Sequence, residues 1–284
     1  MWRLKILGKI VLSRLPFGYG VWRRLGLFRH GKMNQADYAL GVVTHHLERL
    51  GGADRIKGAV CLELGPGDSL SSAIIAHALG ARKTYLVDVG DFADRDIETY
   101  RGVAGALSAR GIRAADLSAV STIEEMLRAV DAEYLTDGLR SLREIPAASV
   151  DLIWSQAVLE HIRLREVHEM FAELHRIMKP AGAMSHRIDY KDHLQSSLNN
   201  LRFSEKVWES EFMAGSGFYT NRMRNAEMLG AMKQAGFELL SAEPGKWDRL
   251  PVPRARLHRR FQALDEDDLR TKHVDVVARP AQPS

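Results

Sequence analysis

The stretch VCLELGPGD, residues 60–68, decides the fold of this 284-residue chain. A short apolar run followed by glycines predicts a buried strand that turns tightly into a helix, here over residues 69–79. Gly65 and Gly67 allow the backbone to turn and allow a ligand to approach it closely. This pattern is typical of α/β enzymes that bind a nucleotide-like cofactor.

The residues of the turn favour a cationic ligand over a dinucleotide. A dinucleotide fingerprint has a third glycine where this chain has Leu70. A helix N-terminus suits a pyrophosphate, but the carboxylate of Asp68 stands at this one and repels anions. Glu63 at the end of the strand and Asp68 after the turn suit a ligand with a sulfonium and an ammonium group. S-adenosylmethionine is such a ligand, and Glu63, Gly65 and Gly67 are candidate contacts to it.

A second apolar run, TYLVD at residues 84–88, also ends in a carboxylate. It lies about 20 residues after the glycine turn, the spacing at which an acidic residue accepts hydrogen bonds from ribose hydroxyls. Asp88 is therefore the predicted ribose ligand. Residues 63–69, ELGPGDS, resemble the first motif of class I S-adenosylmethionine-dependent methyltransferases, with Ser69 where many members have a third glycine.

Two further segments resemble the fourth to sixth motifs of the same family: SVDLIWSQAVLEHI at 149–162 and LHRIMKPAGAM at 174–184. Ser155 lies at the carboxyl end of the predicted fourth strand, where open α/β sheets bind ligands, and is a candidate cofactor contact. The resemblance extends over residues 58–190. It also implies that Asp137 bonds the adenine amino group, although a turn aspartate before a glycine is an equally simple interpretation.

The resemblance implies a doubly wound, Rossmann-like α/β fold with a seven-stranded mixed sheet whose last strand is antiparallel. We expect a basic N-terminal helical extension over residues 1–55 and a methyltransferase domain over 56–280. Within the domain, residues 191–224 form an aromatic-rich insertion after strand five, and residues 245–268 form a second insertion on the substrate side.

The charge of +4 is concentrated at the N-terminus, where residues 1–36 contain eight Lys or Arg and no acid. Apolar residues recur among these cations at helical spacing. We therefore expect residues 1–33 either to contact an anionic membrane surface or to pack across the fold as a helix. No recognition module accompanies the basic residues, so nucleic acid is not an expected partner.

Length and composition indicate a globular protein without a membrane span or a cleavable signal, which makes the cytoplasm the expected location, with peripheral membrane contact as an addition. The single cysteine, Cys61, lies in the first apolar strand and excludes a disulfide within one chain.

Methyl transfer to a hydroxyl requires positioning of the acceptor and removal of its proton. The predicted catalytic residue is His161 or His193 as the base, oriented by a carboxylate from Glu160, Asp189 or Asp192. A second arrangement has Glu160, His161 and His186 bind a divalent cation. Relatives with such a metal use a Glu-x-x-Glu-His motif, and Ala157 replaces its first glutamate here. A third interpretation gives His161 a structural role only.

The acceptor is indicated only by a weaker resemblance. Residues 13–33, 186–193 (HRIDYKDH) and 217–224 (GFYTNRMR) are similar to methyltransferases found with bacterial surface-polysaccharide and glycolipid synthesis. This implies O-methylation of a sugar. Tyr219, Asn221, Arg222 and Arg224 are further candidates for contact with a polar or anionic acceptor, and a surface role is the alternative for each of them. A natural-product or quinone-type lipid acceptor is the alternative. A protein that binds S-adenosylmethionine without catalysing a reaction is the alternative outside the enzymes.

Overall fold

A computed structural model describes residues 32–282 of the chain. The strands are β1 Val60–Leu64, β2 Lys83–Val87, β3 Ala132–Leu135, β4 Val150–Gln156, β5 Met178–Asp189, β6 Phe237–Lys246 and β7 Thr271–Pro280. The helices are α1 Ala36–Arg49, α2 Ser71–Ala78, α3 Ile97–Ala109, α4 Ile123–Ala129, α5 Leu139–Glu144, α6 Val167–Ile177, α7 Glu205–Trp208, α8 Glu211–Ala214, α9 Asn225–Gln234, α10 Arg259–Gln262 and α11 Glu266–Arg270.

The strands form one seven-stranded sheet in the order β3-β2-β1-β4-β5-β7-β6. The first five strands pair in parallel, and β7 runs antiparallel to both β5 and β6. All five residues of β1 are buried, as expected for a central strand covered on both faces. The sequence-based prediction of a doubly wound mixed sheet with an antiparallel last strand is confirmed.

Helices cover both faces of the sheet and create two cores. Helices α1 to α4 pack on one face, where Leu86 and Trp154 are fully buried. Helices α5, α6 and α9 pack on the other face, around Ile153 and Phe171. The carboxyl ends of the five parallel strands therefore open at one edge between the two layers, which is where this class of sheet binds ligands.

Helix α1 belongs to the segment predicted as the N-terminal extension, and it packs against the sheet. His46 of α1 is 1% exposed, and its imidazole lies 2.9 Å from the Ser185 hydroxyl and 3.2 Å from the Gln156 amide oxygen. Burial lowers the pKa of His46 to about 4, so the ring is a neutral member of the core at pH 7. The basic, apolar pattern of residues 1–31 lies outside the described residues.

Strand β5 begins at Met178, and the chain bulges at its start. Met178 pairs with Val150, but the next pair joins Ala183 to Leu152, so the intervening residues loop out of the ladder. Gly182 is required in this bulge: a Cβ there would lie 2.7 Å from the Met178 side chain and 2.9 Å from the Lys179 carbonyl oxygen. Lys179 closes the bulge through ion pairing with Asp151 at 2.8 Å.

The two predicted insertions are ordered and pack together beside the carboxyl end of β5. In the first, Trp208 is fully buried with Phe218, and its indole donates to the Thr220 carbonyl at 2.7 Å. Leu198 and Leu201 of the first insertion share a small core with residues from the second. None of the helices within residues 32–282 is long and apolar enough to cross a membrane.

Candidate functional site

The glycine turn after β1 lies directly beneath the turn that follows β4. Gly65 has a φ of +66°, and a Cβ at this position would lie 2.5 Å from a methyl carbon of Val158. Its N–H donates to the Val87 carbonyl at 2.8 Å, which ties the turn to β2. Gly65 is therefore required twice, once for the left-handed backbone and once for the contact with Val158.

We expect Gly65→Ala to reduce the free energy of unfolding by about 2–5 kcal/mol, since it combines a left-handed alanine with overpacking against Val158. Urea denaturation measures the change. Adding Val158→Ala should restore the stability that is lost through overpacking, but the stability that is lost through the strained backbone should remain lost. A Gly65→Ala protein as stable as the parent would contradict this account of the turn.

The predicted ribose ligand lies beside this turn. Asp88 follows β2 and is half-buried, and its carboxylate accepts the N–H of Gly67 at 3.0 Å and of Val89 at 2.7 Å. The backbone of Asp88 also bonds the end of β3: its carbonyl accepts the N–H of Gly138 at 2.8 Å. The exposed Asp137 is thereby held next to Asp88. The structure brings Gly65, Gly67, Asp88 and Asp137 together at the carboxyl edge of β1 to β3.

The two remaining predicted cofactor residues have side chains inside the fold. Glu63 is 2% exposed and accepts a hydrogen bond from the Ser72 hydroxyl of α2. Burial raises the pKa of Glu63 to about 7. Ser155 is fully buried, and its hydroxyl lies 2.7 Å from Nδ1 of His186. Both side chains therefore form the floor of the site, beneath the residues at its surface.

Two predicted catalytic histidines, 32 positions apart in sequence, contact each other. His161 and His193 are exposed, and their Nε2 atoms lie 3.2 Å apart with the rings nearly parallel at 15°. Nδ1 of His161 lies 2.9 Å from the carbonyl oxygen of Tyr219. Because a carbonyl only accepts, Nδ1 of His161 carries a proton. The geometry therefore makes Nε2 the basic nitrogen of a neutral His161.

The turn that carries His161 is joined to the glycine turn after β1. The His161 N–H donates to the Val158 carbonyl at 2.8 Å, and the Val158 side chain is the one that packs on Gly65. A short 3₁₀ helix, Leu159–His161, links the two positions. The histidine pair thus stands within one turn of chain from the glycine turn.

His193 is positioned by a neighbour, Asp192. The Asp192 carboxylate is 2% exposed and accepts the N–H groups of Leu194, Gln195 and Asn199 at 2.5 to 3.0 Å. This network closes the loop after β5 that presents His193. Asp189, also predicted as an orienting carboxylate, is half-buried and pairs instead with Lys191, at 3.1 Å from its ammonium group.

The residues of the metal arrangement lie in separate environments. His186 bonds Ser155 within the sheet, and burial lowers its pKa to about 3. Glu160 is 2% exposed, and neither of its carboxyl oxygens makes a hydrogen bond with the described residues. Across residues 32–282, no group of three or more His, Cys, Asp or Glu side chains is placed to hold a metal ion.

Burial raises the pKa of Glu160 to about 8, from an ordinary value of 4.5. A carboxyl whose pKa is raised in the folded state stabilises the protein below pH 4.5, and this stabilisation is lost as the pH rises toward 8. We expect Glu160→Gln to gain stability relative to the parent by about 1.4 kcal/mol per pH unit across this window. Urea titrations at several pH values measure it, with the exposed Glu144→Gln as control. A pH-independent difference would contradict the burial argument.

Four residues predicted as acceptor contacts are buried instead: Tyr219, Asn221, Arg222 and Arg224 are 4%, 1%, 4% and 1% exposed. Arg224 donates to the carbonyls of Tyr190, Asp268, Leu269 and Thr271. The prediction of surface contacts was wrong for these side chains. Asn221, Arg222 and Arg224 donate to backbone carbonyls, and the Tyr219 hydroxyl bonds Glu209 and the Leu164 N–H. Their charges in sequence gave no signal of this, since buried arginines depend on partners from distant segments.

Comparison with known proteins identifies one family. The family described as methyltransferase domain matches residues 102–185, which run from α3 into β5 and include the His161 turn. No curated protein matches the sequence.

Several solved structures are similar in fold. An S-adenosylmethionine-dependent methyltransferase from Mesorhizobium loti is 16% identical, with 79% of this chain and 92% of that chain covered and a TM-score of 0.45. One from Methanosarcina mazei is 13% identical, with 80% and 94% covered and a TM-score of 0.48. A Burkholderia thailandensis 1,6-didemethyltoxoflavin-N1-methyltransferase, solved with S-adenosylhomocysteine, is 15% identical, with 88% and 80% covered and a TM-score of 0.44.

The family match is independent of the glycine turn and of β2, which lie before it in the chain. The strand order and the antiparallel β7 agree with the fold that the motifs imply. Residues 102–185 of the chain therefore match the methyltransferase domain family, and the sheet has the Rossmann-like order that the motifs imply.

Proposed function

We propose that the protein transfers the methyl group of S-adenosylmethionine to a sugar hydroxyl in a surface glycan or glycolipid. The observation that carries the proposal is the exposed His161–His193 pair, whose His161 belongs to the turn that covers Gly65. This arrangement sets a proton acceptor beside the cofactor turn. Methylation of a hydroxyl needs such a group, because the oxygen must lose its proton.

The cofactor would be held by the residues at the carboxyl edge of β1 to β3, and their chemistry fits it. The Asp88 carboxylate suits a ribose diol, and it is oriented by the N–H groups of Gly67 and Val89. Asp137 would bond the adenine amino group, and Gly65 and Gly67 would allow close approach of the backbone. When bound, the cofactor supplies an electrophilic methyl group on a sulfonium. Glu63 and Ser155 support the turn and the fourth strand from below.

His161 would take the proton of the acceptor hydroxyl on Nε2. Its Nδ1 is already committed to the Tyr219 carbonyl, so the ring presents Nε2 in a fixed direction. His193 lies on the same side, 3.2 Å away, and would donate to Nε2 until an acceptor takes its place. A positioned general base of this type contributes about 10²–10⁴ in rate.

A surface cleft of about 340 Å³ is lined by Arg163, Leu164, Arg165, Glu205 and Glu209, the first of which lies two residues after His161 in the chain. Tyr219 joins the two places. Its carbonyl bonds His161, and its hydroxyl donates to Glu209 at 2.7 Å. Guanidinium and carboxylate groups side by side can donate to and accept from neighbouring hydroxyls. This mixture favours a polyhydroxylated acceptor over an apolar one.

The proposal is tested by incubating the full-length protein with methyl-labelled S-adenosylmethionine and separate extracts of envelope glycans, glycolipids, quinone lipids and small metabolites. We expect label in the glycan or glycolipid fraction, stable to mild base as an ether is. Label only in quinone lipids or in metabolites would contradict a glycan acceptor and would identify the acceptor class as the labelled one. Binding of S-adenosylmethionine without labelling of any fraction would favour a silent binding module.

A further inference from the structure

We propose that Asn221 is a positioning residue that fixes the His161 imidazole and determines which of its nitrogens is basic. The inference rests on the proposed function, in which Nε2 of His161 accepts the proton of the acceptor. It concerns how the insertion after β5 holds the turn after β4, a contact between segments about 60 residues apart.

Asn221 binds the His161 turn at three carbonyls. Its side-chain amide donates to the carbonyls of Leu159 and Ile162 at 2.8 and 3.1 Å, and its backbone N–H donates to the Glu160 carbonyl at 2.7 Å. Its amide oxygen accepts the Met223 N–H at 3.1 Å. Asn221 is 1% exposed, so water does not compete for these bonds. The residues on either side of His161 are thereby held by one side chain.

The same segment supplies the partner of the imidazole. The carbonyl that accepts from His161 Nδ1 belongs to Tyr219, two residues before Asn221. The Tyr219 ring is held at its other end, where the hydroxyl donates to Glu209 and accepts the Leu164 N–H at 3.2 Å. The backbone of the turn and the hydrogen bond of the ring are therefore set by one segment, residues 219–221.

Arg222 anchors this segment to the rest of the insertion. It has a φ of +59°, which is uncommon for a residue with a side chain and is retained only where the surroundings impose it. Its buried guanidinium donates to the Phe203 carbonyl at 2.7 Å and lies over the Trp208 ring. Arg222 thus holds residues 219–221 against the insertion, and Asn221 in turn holds the His161 turn.

Loss of the Asn221 amide would leave two buried carbonyls of the turn without their donor. The turn would relax, the Nδ1–H···O=C bond from His161 to Tyr219 would weaken, and the proton would redistribute between the two ring nitrogens. The proton of a neutral histidine is held on Nδ1 only where a hydrogen bond fixes it there, and in His161 that bond is the one to the Tyr219 carbonyl.

The test is long-range ¹H–¹⁵N NMR of the histidine side chains of the full-length protein at a pH where His161 is neutral. His161→Gln assigns the signals. In the parent we expect His161 to be protonated on Nδ1. In Asn221→Ala we expect an averaged or Nε2-protonated ring and, where an acceptor is known, kcat at least ~10-fold lower with the KM for S-adenosylmethionine unchanged. Ser216→Ala is the control, because Ser216 is a buried polar residue in the same insertion whose hydroxyl donates to the Met213 carbonyl instead.

An unchanged His161 tautomer in a folded Asn221→Ala protein would overturn the inference. Asn221→Ser replaces it if the alanine variant does not fold. A parent spectrum with His161 protonated on Nε2 would overturn it without any variant. The NMR readout needs no acceptor, so failure to label any extract would count against the proposed function and leave this inference standing.

Discussion

Replacing Asp88 by alanine is expected to weaken binding of S-adenosylmethionine and S-adenosylhomocysteine by about 100-fold or more. Hydrogen bonds to a charged group contribute about 1.5–3 kcal/mol each, and a ribose diol presents two of them. Each 1.4 kcal/mol corresponds to about tenfold in affinity. The variant also loses the bond from Gly67, which orders the cofactor turn.

Equilibrium dialysis with labelled S-adenosylhomocysteine measures this change. Asp88→Asn keeps one acceptor oxygen and should fall between the parent and the alanine variant. Asp91→Asn is the matched control, since Asp91 is an exposed carboxylate of the same loop that pairs with Arg95 at 2.6 Å. Equal affinities of Asp88→Ala and Asp91→Asn would remove Asp88 from the cofactor site.

Replacing His161 by alanine is expected to lower turnover at least ~100-fold while S-adenosylmethionine affinity changes little. The loss is that of a positioned general base, and it should appear in kcat because the group acts on the acceptor proton. The turnover of the parent should rise with pH as this base loses its proton, and the turnover of the variant should lack this rise.

Single-turnover measurements with a labelled donor separate the chemical step from binding. His168→Ala, an exposed histidine on α6, controls for the loss of a surface imidazole. His193→Ala should have a smaller effect, because His193 contacts His161 without sharing its bond to the Tyr219 carbonyl. If His161→Ala has the same turnover as the parent, His161 and His193 have a structural role only.

The central sheet could be predicted because its information is local. β1 and β4 are short, mainly apolar runs, and the turn that follows β1 contains the glycines that the ligand site needs. Gly65 shows the limit of this reasoning. The sequence indicates that a glycine is needed for the turn, but the contact with Val158, 93 positions later, is visible only in the structure.

The interior of the site could not be predicted, because it depends on pairs between distant segments. His161 and His193 were each named from the sequence, but their contact depends on a loop that Asp192 holds through three backbone N–H groups. The charges of Arg222 and Arg224 were interpreted as surface groups, although carbonyls from other segments surround them. A polar residue buried by tertiary partners has the same sequence signal as an exposed one.

The central claim is that the residues around Gly65 and Asp88 bind S-adenosylmethionine, and isothermal titration calorimetry of the full-length protein tests it most directly. Titration with S-adenosylmethionine, S-adenosylhomocysteine and NAD should give saturable binding of the first two and none of the third. Binding of NAD with no response to either S-adenosyl compound would contradict the account.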